Sequence, residues 1–194
     1  MTGPGSTAVA SGNVIRGRGL IGTISQNGIQ VIFGAHGTVV GNRISDLEFA
    51  GPNTGNGVLV VGGGAYDGDP TKGCLPSGCD VTRGARIERN VITDADTGVV
   101  AFNADADFNP PADPTSTRIS GDVIRKKTLT NLAGWDGSIG VQEGVFAYGN
   151  EDQIVDNVIT GNGYDAASCG DAAVCMAIDT GGAIDPIISG NVVR

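Results

Sequence analysis

The chain has 194 residues, with 12 Lys and Arg against 21 Asp and Glu, so it carries a net charge of −9 at pH 7. This acidity argues against a nucleic-acid partner, because phosphates attract clustered Lys and Arg. No apolar stretch approaches the roughly 20 residues of a membrane span, so we expect no membrane partner either. The 33 glycines follow no period of three, which excludes collagen.

The first residues differ in character from the rest. Residues 1–8 include Gly3, Pro4 and Gly5 and hold no apolar run, so they do not form a signal peptide. We interpret residues 1–8 as a leader or as residues added for expression. No linker interrupts the remainder, and residues 9–194 are predicted to form a single domain.

A short phrase then recurs six times, with an Asn or Asp before a residue pair that ends in Ile or Val. Its polar residue returns at intervals of 29 to 48 residues, a period typical of a solenoid. The copies of the polar residue are Asn13, Asn42, Asn90, Asp122, Asn157 and Asn191.

A second sequence motif, a Gly followed by a strand of alternating apolar residues, lies between the copies of the first motif. The shortest steps are 8 residues from Asn90 to Gly98 and 13 residues from Gly144 to Asn157. Such steps fit three short strands and three turns, but not a pair of helices. The copies begin at Gly28, Gly57, Gly98 and Gly144, with a degenerate fifth copy at Val174-Cys175-Met176-Ala177.

The repeated Asn has a physical role in such a coil. A two-residue corner between strands needs a left-handed backbone, which Gly and Asn tolerate best. Stacked strands lie about 4.8 Å apart. Asn side chains at one corner are therefore predicted to hydrogen-bond from coil to coil as a ladder.

These repeats resemble the right-handed parallel β-helix fold of the pectate-lyase-like superfamily over nearly the whole chain. The resemblance implies an all-β protein, a right-handed parallel β-helix solenoid of about five to six coils. The superfamily includes polysaccharide lyases, glycoside hydrolases, sugar epimerases and phage tailspike domains, so the fold alone does not decide the activity. We expect a carbohydrate-directed protein whose partner is a polysaccharide, and whether it is an enzyme is left open. The alternative is a non-catalytic module that self-associates through its outer sheet or its open ends.

The four cysteines form two close pairs, Cys74 with Cys79 and Cys169 with Cys175. Each pair can close a small loop, and disulfides predict an oxidising location, secreted or at the cell surface. A zinc site is the alternative, but these spacings do not fit a zinc ribbon or finger.

The outward face of the Gly-containing strands is expected to be apolar. Side chains alternate along a strand, and the residues placed outward are Gln30, Ile32, Leu59, Val61, Val100, Phe102, Phe146, Tyr148, Met176 and Ile178. The lyases of the superfamily carry charged or calcium-binding residues there. This stripe is covered by the chain's own insertions, or is a subunit interface, or floors an aromatic binding groove.

Polar residues near the ends of these strands are the candidate site. We predict Asp105, Glu151 and Asp179 as catalytic carboxyls, because glycosidases work with paired carboxyl groups. Phe102, Tyr148, Asn103, Asn150 and His36 are the candidate substrate-binding residues. The competing interpretation is that Asp, Asn and His here are ordinary turn residues.

No cofactor is expected. No phosphate loop, dinucleotide fingerprint or Ser-His-Asp order is present, and no resident metal is assigned. Calcium is a weaker option, because carboxylates are its preferred ligands but their spacing matches no defined calcium loop. The carboxylates considered are Asp94, Asp96, Asp105, Asp107 and Asp113.

Overall fold

A computed structural model describes residues 1–51, 53–63, 80–105, 107–127, 129–130, 140–164 and 173–194. In these ranges the chain forms short strands and one short 3-10 helix, Asn162–Tyr164. All strand pairings are parallel, and they form three sheets. The prediction of an all-β parallel solenoid is confirmed. Within the described ranges, no helix is long and apolar enough to cross a membrane.

The chain visits the three sheets in turn, one strand at a time. Sheet 1 contains β1 (Thr7–Ser11), β4 (His36–Val40), β7 (Arg86–Glu88), β10 (Arg118–Ser120), β13 (Gln153–Val155) and β16 (Ile187–Ser189). Sheet 2 contains β2 (Val14–Ile21), β5 (Arg43–Phe49), β8 (Val91–Ala95), β11 (Val123–Arg125), β14 (Val158–Thr160) and β17 (Val192–Val193). Sheet 3 contains β3 (Asn27–Ile32), β6 (Asn56–Gly62), β9 (Thr97–Asn103), β12 (Gly140–Tyr148) and β15 (Ala173–Asp179).

The first residues of the chain also take part in this fold. Thr2 forms a parallel bridge with Ile32, and the Ile32 amide donates to the Met1 carbonyl at 3.0 Å. Because β1 begins at Thr7, part of the segment that we assigned to a leader is ordered against sheets 1 and 3.

The core is built from identical positions stacked in register. In sheet 2, Ile44, Ile92, Ile124 and Ile159 occupy one column, and each side chain is almost completely buried. Sheet 1 supplies Ile87, Ile119 and Ile154 in the same way. Stacking β-branched side chains gives dense packing on a pleated surface, and each buried side chain contributes on the order of 2 kcal/mol.

The predicted asparagine ladder lies at the corner between sheets 1 and 2 and is confirmed. The backbone N and the Nδ2 of Asn42 both donate to Asn90 Oδ1, at 3.0 and 2.9 Å. Asn13 binds Asn42 in the same way, and Asn157 binds Asn191. The ladder therefore satisfies buried amide groups that a strand corner would otherwise leave without partners.

The repeat glycine, second in β3, β6 and β9 and central in β12, marks a point where sheets 2 and 3 nearly touch. A Cβ on Gly98 would lie 2.5 Å from both the Gly144 carbonyl oxygen and Ile124 Cγ2. Gly57 meets the equivalent atoms of Gly98 and Ile92. The glycine and the residue after it therefore both face the core, and the side chain of the residue before the glycine points outward.

A buried ion pair fastens the corner between sheets 2 and 3. The Lys126 side chain has no exposed surface, and its Nζ lies 2.8 Å from Glu48 Oε1 and 3.5 Å from Asp96 Oδ1. Asp96 Oδ2 accepts the amides of Phe49 and Gly55 at 2.7 and 2.9 Å. A buried charge is tolerated when it is paired and hydrogen-bonded, and here the pairing links three successive turns of the solenoid.

The last strand of sheet 3 corrects the predicted register. We aligned Met176 and Ile178 with the outward residues, but Ile178 lies opposite Val145 and packs against the main core. Asp179 lies opposite Phe146 and is the residue that faces outward with it. In β15 Ala177 takes the position of the repeat glycine. The alignment of the strands depended on that glycine, so the register of β15 was predicted incorrectly.

Of the four cysteines, only Cys175 lies among the described residues. Cys175 is buried and is not a free thiol. Cys74, Cys79 and Cys169 lie outside the described residues, so both pairings stay predictions.

Candidate functional site

A groove of about 630 Å³ lies on the outer face of sheet 3. Ligand sites in proteins usually have volumes of about 300–1,000 Å³. The described residues that line the groove are Ser25, Asn27, Asn53, Thr54, Asn56, Leu59, Val61, Thr97, Val100, Phe102, Val141, Glu143, Phe146 and Asp179. No Lys, Arg or His is among these described residues, and the charged groups are both carboxyls.

One side of the groove is a row of polar side chains, each placed directly before the glycine of its strand. Asn27 pairs with Asn56, Asn56 with Thr97, and Thr97 with Glu143 in the sheet register. Asn56 Nδ2 donates to Asn27 Oδ1 at 2.7 Å, and Thr54 Oγ1 donates to Asn56 Oδ1 at 2.9 Å. The row presents amides and hydroxyls that can bind hydroxyl groups of a ligand.

Apolar side chains form the floor beside this row. Leu59 and Val100 are at most 9% exposed and Val61 has no exposed surface, and the three form a second cluster outside the main core. The predicted apolar stripe exists on β6 and β9, but these members are largely buried. The aromatic members, Phe102, Phe146 and Tyr148, are partly accessible.

Three aromatic rings stack along the outer face. Phe102 lies 5.4 Å from Tyr148 and 6.0 Å from Phe146 between ring centroids, with the planes inclined by 28° and 21°. The Tyr148 hydroxyl donates to the Phe108 carbonyl at 2.6 Å, which fixes its ring. Gly182 packs on that ring, since an added Cβ would lie 2.5 Å from Tyr148 Cε2. Partly exposed rings held in a fixed orientation are suited to flat apolar ligand surfaces.

Glu143 and Asp179 form the chemical feature of the groove. Asp179 acts on the Glu143 carboxyl through its charge and through hydrogen bonding, and Glu143 is only 5% exposed. Asp179 Oδ1 also accepts the Gly181 amide at 2.7 Å, which orients its carboxylate. Two carboxyl groups can share a hydrogen bond only if one of them carries a proton.

The proton belongs to Glu143. Burial, and after it the charge and hydrogen bonding of Asp179, together raise the pKa of Glu143 to about 8. Burial acts because a carboxylate loses hydration, and a neighbouring carboxylate acts by repulsion. Near neutral pH, Glu143 is thus a neutral acid next to Asp179. Buried acids with raised pKa values are frequent in sites that transfer protons.

The three predicted catalytic carboxyls are not brought together. Asp179 lies in the groove, but Asp105 is exposed and Oδ1 accepts the amides of Asp107 and Asn109 at 2.9 and 2.8 Å. The Asn109 amide lowers the pKa of Asp105, so this carboxyl is a poor acid. Glu151 is exposed in a turn with φ of 57°. Neither Asp105 nor Glu151 lines the groove, and the carboxyl that lies there with Asp179 is that of Glu143.

The predicted binding residues divide in the same way. Phe102 lines the groove and Tyr148 stacks on it. Asn103 is buried and its Oδ1 accepts the Thr82 amide, while Asn150 Nδ2 donates to the carbonyls of Pro111 and Ala112. His36 Nδ1 contacts the Arg83 carbonyl at 3.1 Å on another edge of the fold. These three residues hold turns, which was the competing interpretation.

The carboxylates considered for calcium lie with other partners. Asp94 pairs with Lys127 at 3.5 Å, and Asp113 pairs with Arg83 at 3.6 Å. Asp96 belongs to the buried Lys126 ion pair. In the part of the chain that the structure describes, no three His, Cys, Asp or Glu side chains are grouped as a metal site.

Glu143 could have been found from the sequence. A polar residue precedes the glycine in four successive copies, as Asn27, Asn56, Thr97 and Glu143. We applied a strict alternation along these strands and so counted only residues after the glycine. The repeated polar residue indicates that the alternation of inward and outward side chains changes at the glycine.

Comparison with known proteins gives no match: no family model, no curated protein and no solved structure is similar to this chain.

Proposed function

We propose that the groove on sheet 3 binds a neutral glycan and hydrolyses it, with Glu143 as general acid and Asp179 as its partner. The proposal would place the chain beside the pectate-lyase-like β-helix proteins that its repeats resemble. The observation that carries it is the Glu143–Asp179 carboxyl pair, in which Glu143 is buried, in a groove that also holds stacked aromatic rings.

The chemistry follows from the protonation state of the pair. Glu143 gives its proton to the leaving glycosidic oxygen as the C–O bond breaks. Asp179 accepts a proton from the attacking water, whose oxygen bonds to the sugar carbon. A bound substrate oxygen or water must therefore replace the direct Glu143–Asp179 hydrogen bond. The pair works as a dyad with one proton between its two carboxyls.

The groove favours a neutral sugar over a uronate. Its described lining contains two carboxyls and no cation, and the whole chain has a net charge of −9. A carboxylate on the substrate would be repelled, whereas amides and rings can bind hydroxyls and sugar faces. Since lyases of the superfamily use cations or calcium on this face, hydrolysis is the better-supported reaction.

The experiment begins with a panel of neutral and acidic glycans, measured by release of reducing ends. Activity on a neutral glycan that is lost in both Glu143→Gln and Asp179→Asn would support the proposal. Glu151→Gln is the matched control, because Glu151 is exposed and lies outside the lining of the groove. Loss of activity in the control alone would assign the chemistry elsewhere, and inactivity on the whole panel would contradict hydrolysis.

The second candidate is a non-catalytic module that binds glycans through the same groove. The stacked rings favour it, because aromatic stacking binds sugars without any acid. In that case Phe102→Ala weakens glycan binding in calorimetry, while Glu143→Gln leaves it unchanged. Self-association of the module, through the outer sheet at Ile32, Val61, Phe102, Tyr148 and Ile178 or end to end, stays a prediction, as does secretion or attachment at the cell surface. Sedimentation of Phe102→Asp with Tyr148→Asp against the parent tests the former.

A further inference from the structure

One rung of the asparagine ladder is an aspartate, Asp122. In the other inner rungs, Nδ2 donates in two directions. Asn90 Nδ2 donates to Asp122 Oδ1 at 2.9 Å and to the Val39 carbonyl at 3.0 Å. Asn157 Nδ2 likewise donates to Asn191 Oδ1 and to the Ile119 carbonyl. Each inner amide thus connects one coil to the coils on both sides.

Asp122 fills only half of this role. Its Oδ1 accepts the backbone N and the Nδ2 of Asn90 at 2.6 and 2.9 Å, as an asparagine oxygen would. Its Oδ2 is buried and has no hydrogen-bond partner among the described residues. By the pattern of its neighbours, Oδ2 takes the place of an amide nitrogen that would donate to Asn157 Oδ1 or the Ile87 carbonyl.

An ionised Asp122 would therefore direct a charged oxygen at two other oxygens in a buried site, which is costly. A proton on Oδ2 turns this repulsion into a hydrogen bond. We propose that the folded protein holds Asp122 as a neutral acid whose proton completes the ladder, so that the stack of coils is tighter in mildly acidic medium than in alkaline medium.

The electrostatics agree with this geometry. The pKa of Asp122 is raised to about 7, because burial raises it by more than the Asn90 hydrogen bonds lower it, while the nearby charges of Glu88 and Arg89 oppose one another. Because the pKa in the folded state is raised above the usual 3.8, the extra stability is complete at acid pH. It is lost progressively as the pH rises toward the folded pKa.

The inference does not depend on the proposed glycan site. Asp122 lies at the corner between sheets 1 and 2, whereas the groove lies on the outer face of sheet 3. Its test therefore uses stability alone.

The test compares the melting temperature Tm of the parent and Asp122→Asn between about pH 5 and pH 9. The variant restores the common residue, so its ladder is complete at every pH. We expect the fall in Tm across this range to be about 5–10 °C smaller in Asp122→Asn than in the parent. Glu143 and Asp152, also buried carboxyls with raised pKa values, remain in both proteins, so the difference reports Asp122.

Asp156→Asn is the matched control, because Asp156 is exposed in the equivalent turn of the next coil. It should retain the full pH dependence of the parent. Equal pH dependence in the parent and Asp122→Asn would overturn the proposal. So would a carbon-13 spectrum in which the Asp122 carboxyl is already ionised at about pH 5, a measurement that needs no variant.

Discussion

The carboxyl of Asp179 acts on that of Glu143, although the residue directly opposite Glu143 in the sheet is Met176. The pair thus joins diagonal positions on adjacent strands, with Glu143 inside β12 and Asp179 at the end of β15. This geometry places the acid next to the aromatic stack, because Asp179 shares its row with Phe146. The first predictions concern this pair.

The activity of the proposed hydrolase should fall above about pH 8. Glu143 must keep its proton to act as an acid, and its pKa is raised to about 8. The measurement is kcat/KM against pH on the neutral glycan that gives the highest rate. An alkaline limb near pH 5 would contradict the assignment of Glu143 as the acid.

Asp179→Asn should lower the pKa of Glu143, because it removes a negative charge that opposes ionisation. Carbon-13 NMR of the Glu143 carboxyl measures this directly in parent and variant. Burial remains the larger cause, so the pKa in the variant should stay above the usual 4.5. An unchanged titration would mean that the two groups are not coupled.

Lys126→Met should destabilise the protein by about 3–5 kcal/mol, because it leaves Glu48 and Asp96 buried without their cation. Lys127→Met is the control, since the Lys127 side chain is 84% exposed and its Nζ lies 3.5 Å from Asp94 Oδ2. An exposed pair contributes less than about 1 kcal/mol. Urea unfolding of both variants would reveal the difference, and equal losses would argue against the buried ion pair.

Gly98→Ala should destabilise the fold by about 1–3 kcal/mol, because the new methyl group would overlap the Gly144 carbonyl and Ile124. Gly22→Ala is the comparison, since its nearest contact would be the Ala50 carbonyl at 3.8 Å. Thermal unfolding distinguishes them. If Gly98→Ala melts like the parent, sheets 2 and 3 are further apart than described.

Asn90→Ala should cost on the order of 1–3 kcal/mol, because it leaves the Asn42 amide groups without their acceptor in the interior of the stack. The same change at Asn13 removes an outer rung and should cost less. Chemical denaturation of the two variants gives the comparison, and a smaller loss at Asn90 would show that the ladder is not a main contributor to stability.

The sequence predicted those parts of the molecule that repeat. The asparagine corner and the glycine-led strands were found because the same side chains solve the same steric problem in every coil. The register of β15 was missed because Ala177 stands where the other strands have glycine. Glu143 was missed because the close approach of sheets 2 and 3 changes the alternation of side chains at Gly144. This approach is a contact between segments far apart in the sequence, which a local pattern does not predict.

Two of the predicted carboxyls lie away from the groove for a related reason. Asp105 and Glu151 follow their strands as expected, but short turns bind the Asp105 carboxylate and turn Glu151 into solvent. Whether a turn residue faces the groove depends on the turn's own hydrogen bonds. Asp179 was found because it ends β15 itself and needs no turn to bring it to the groove.

The ladder also has a direction. Every rung donates its backbone N–H to the side-chain oxygen of the next coil, from Asn13 through Asn42, Asn90, Asp122 and Asn157 to Asn191. Aligned hydrogen bonds polarise one another, so each amide strengthens its neighbours. The corner therefore acts as a single dipole along the axis of the solenoid. The energy of one rung depends on how many others remain in line, and two substitutions in the ladder should not have additive effects.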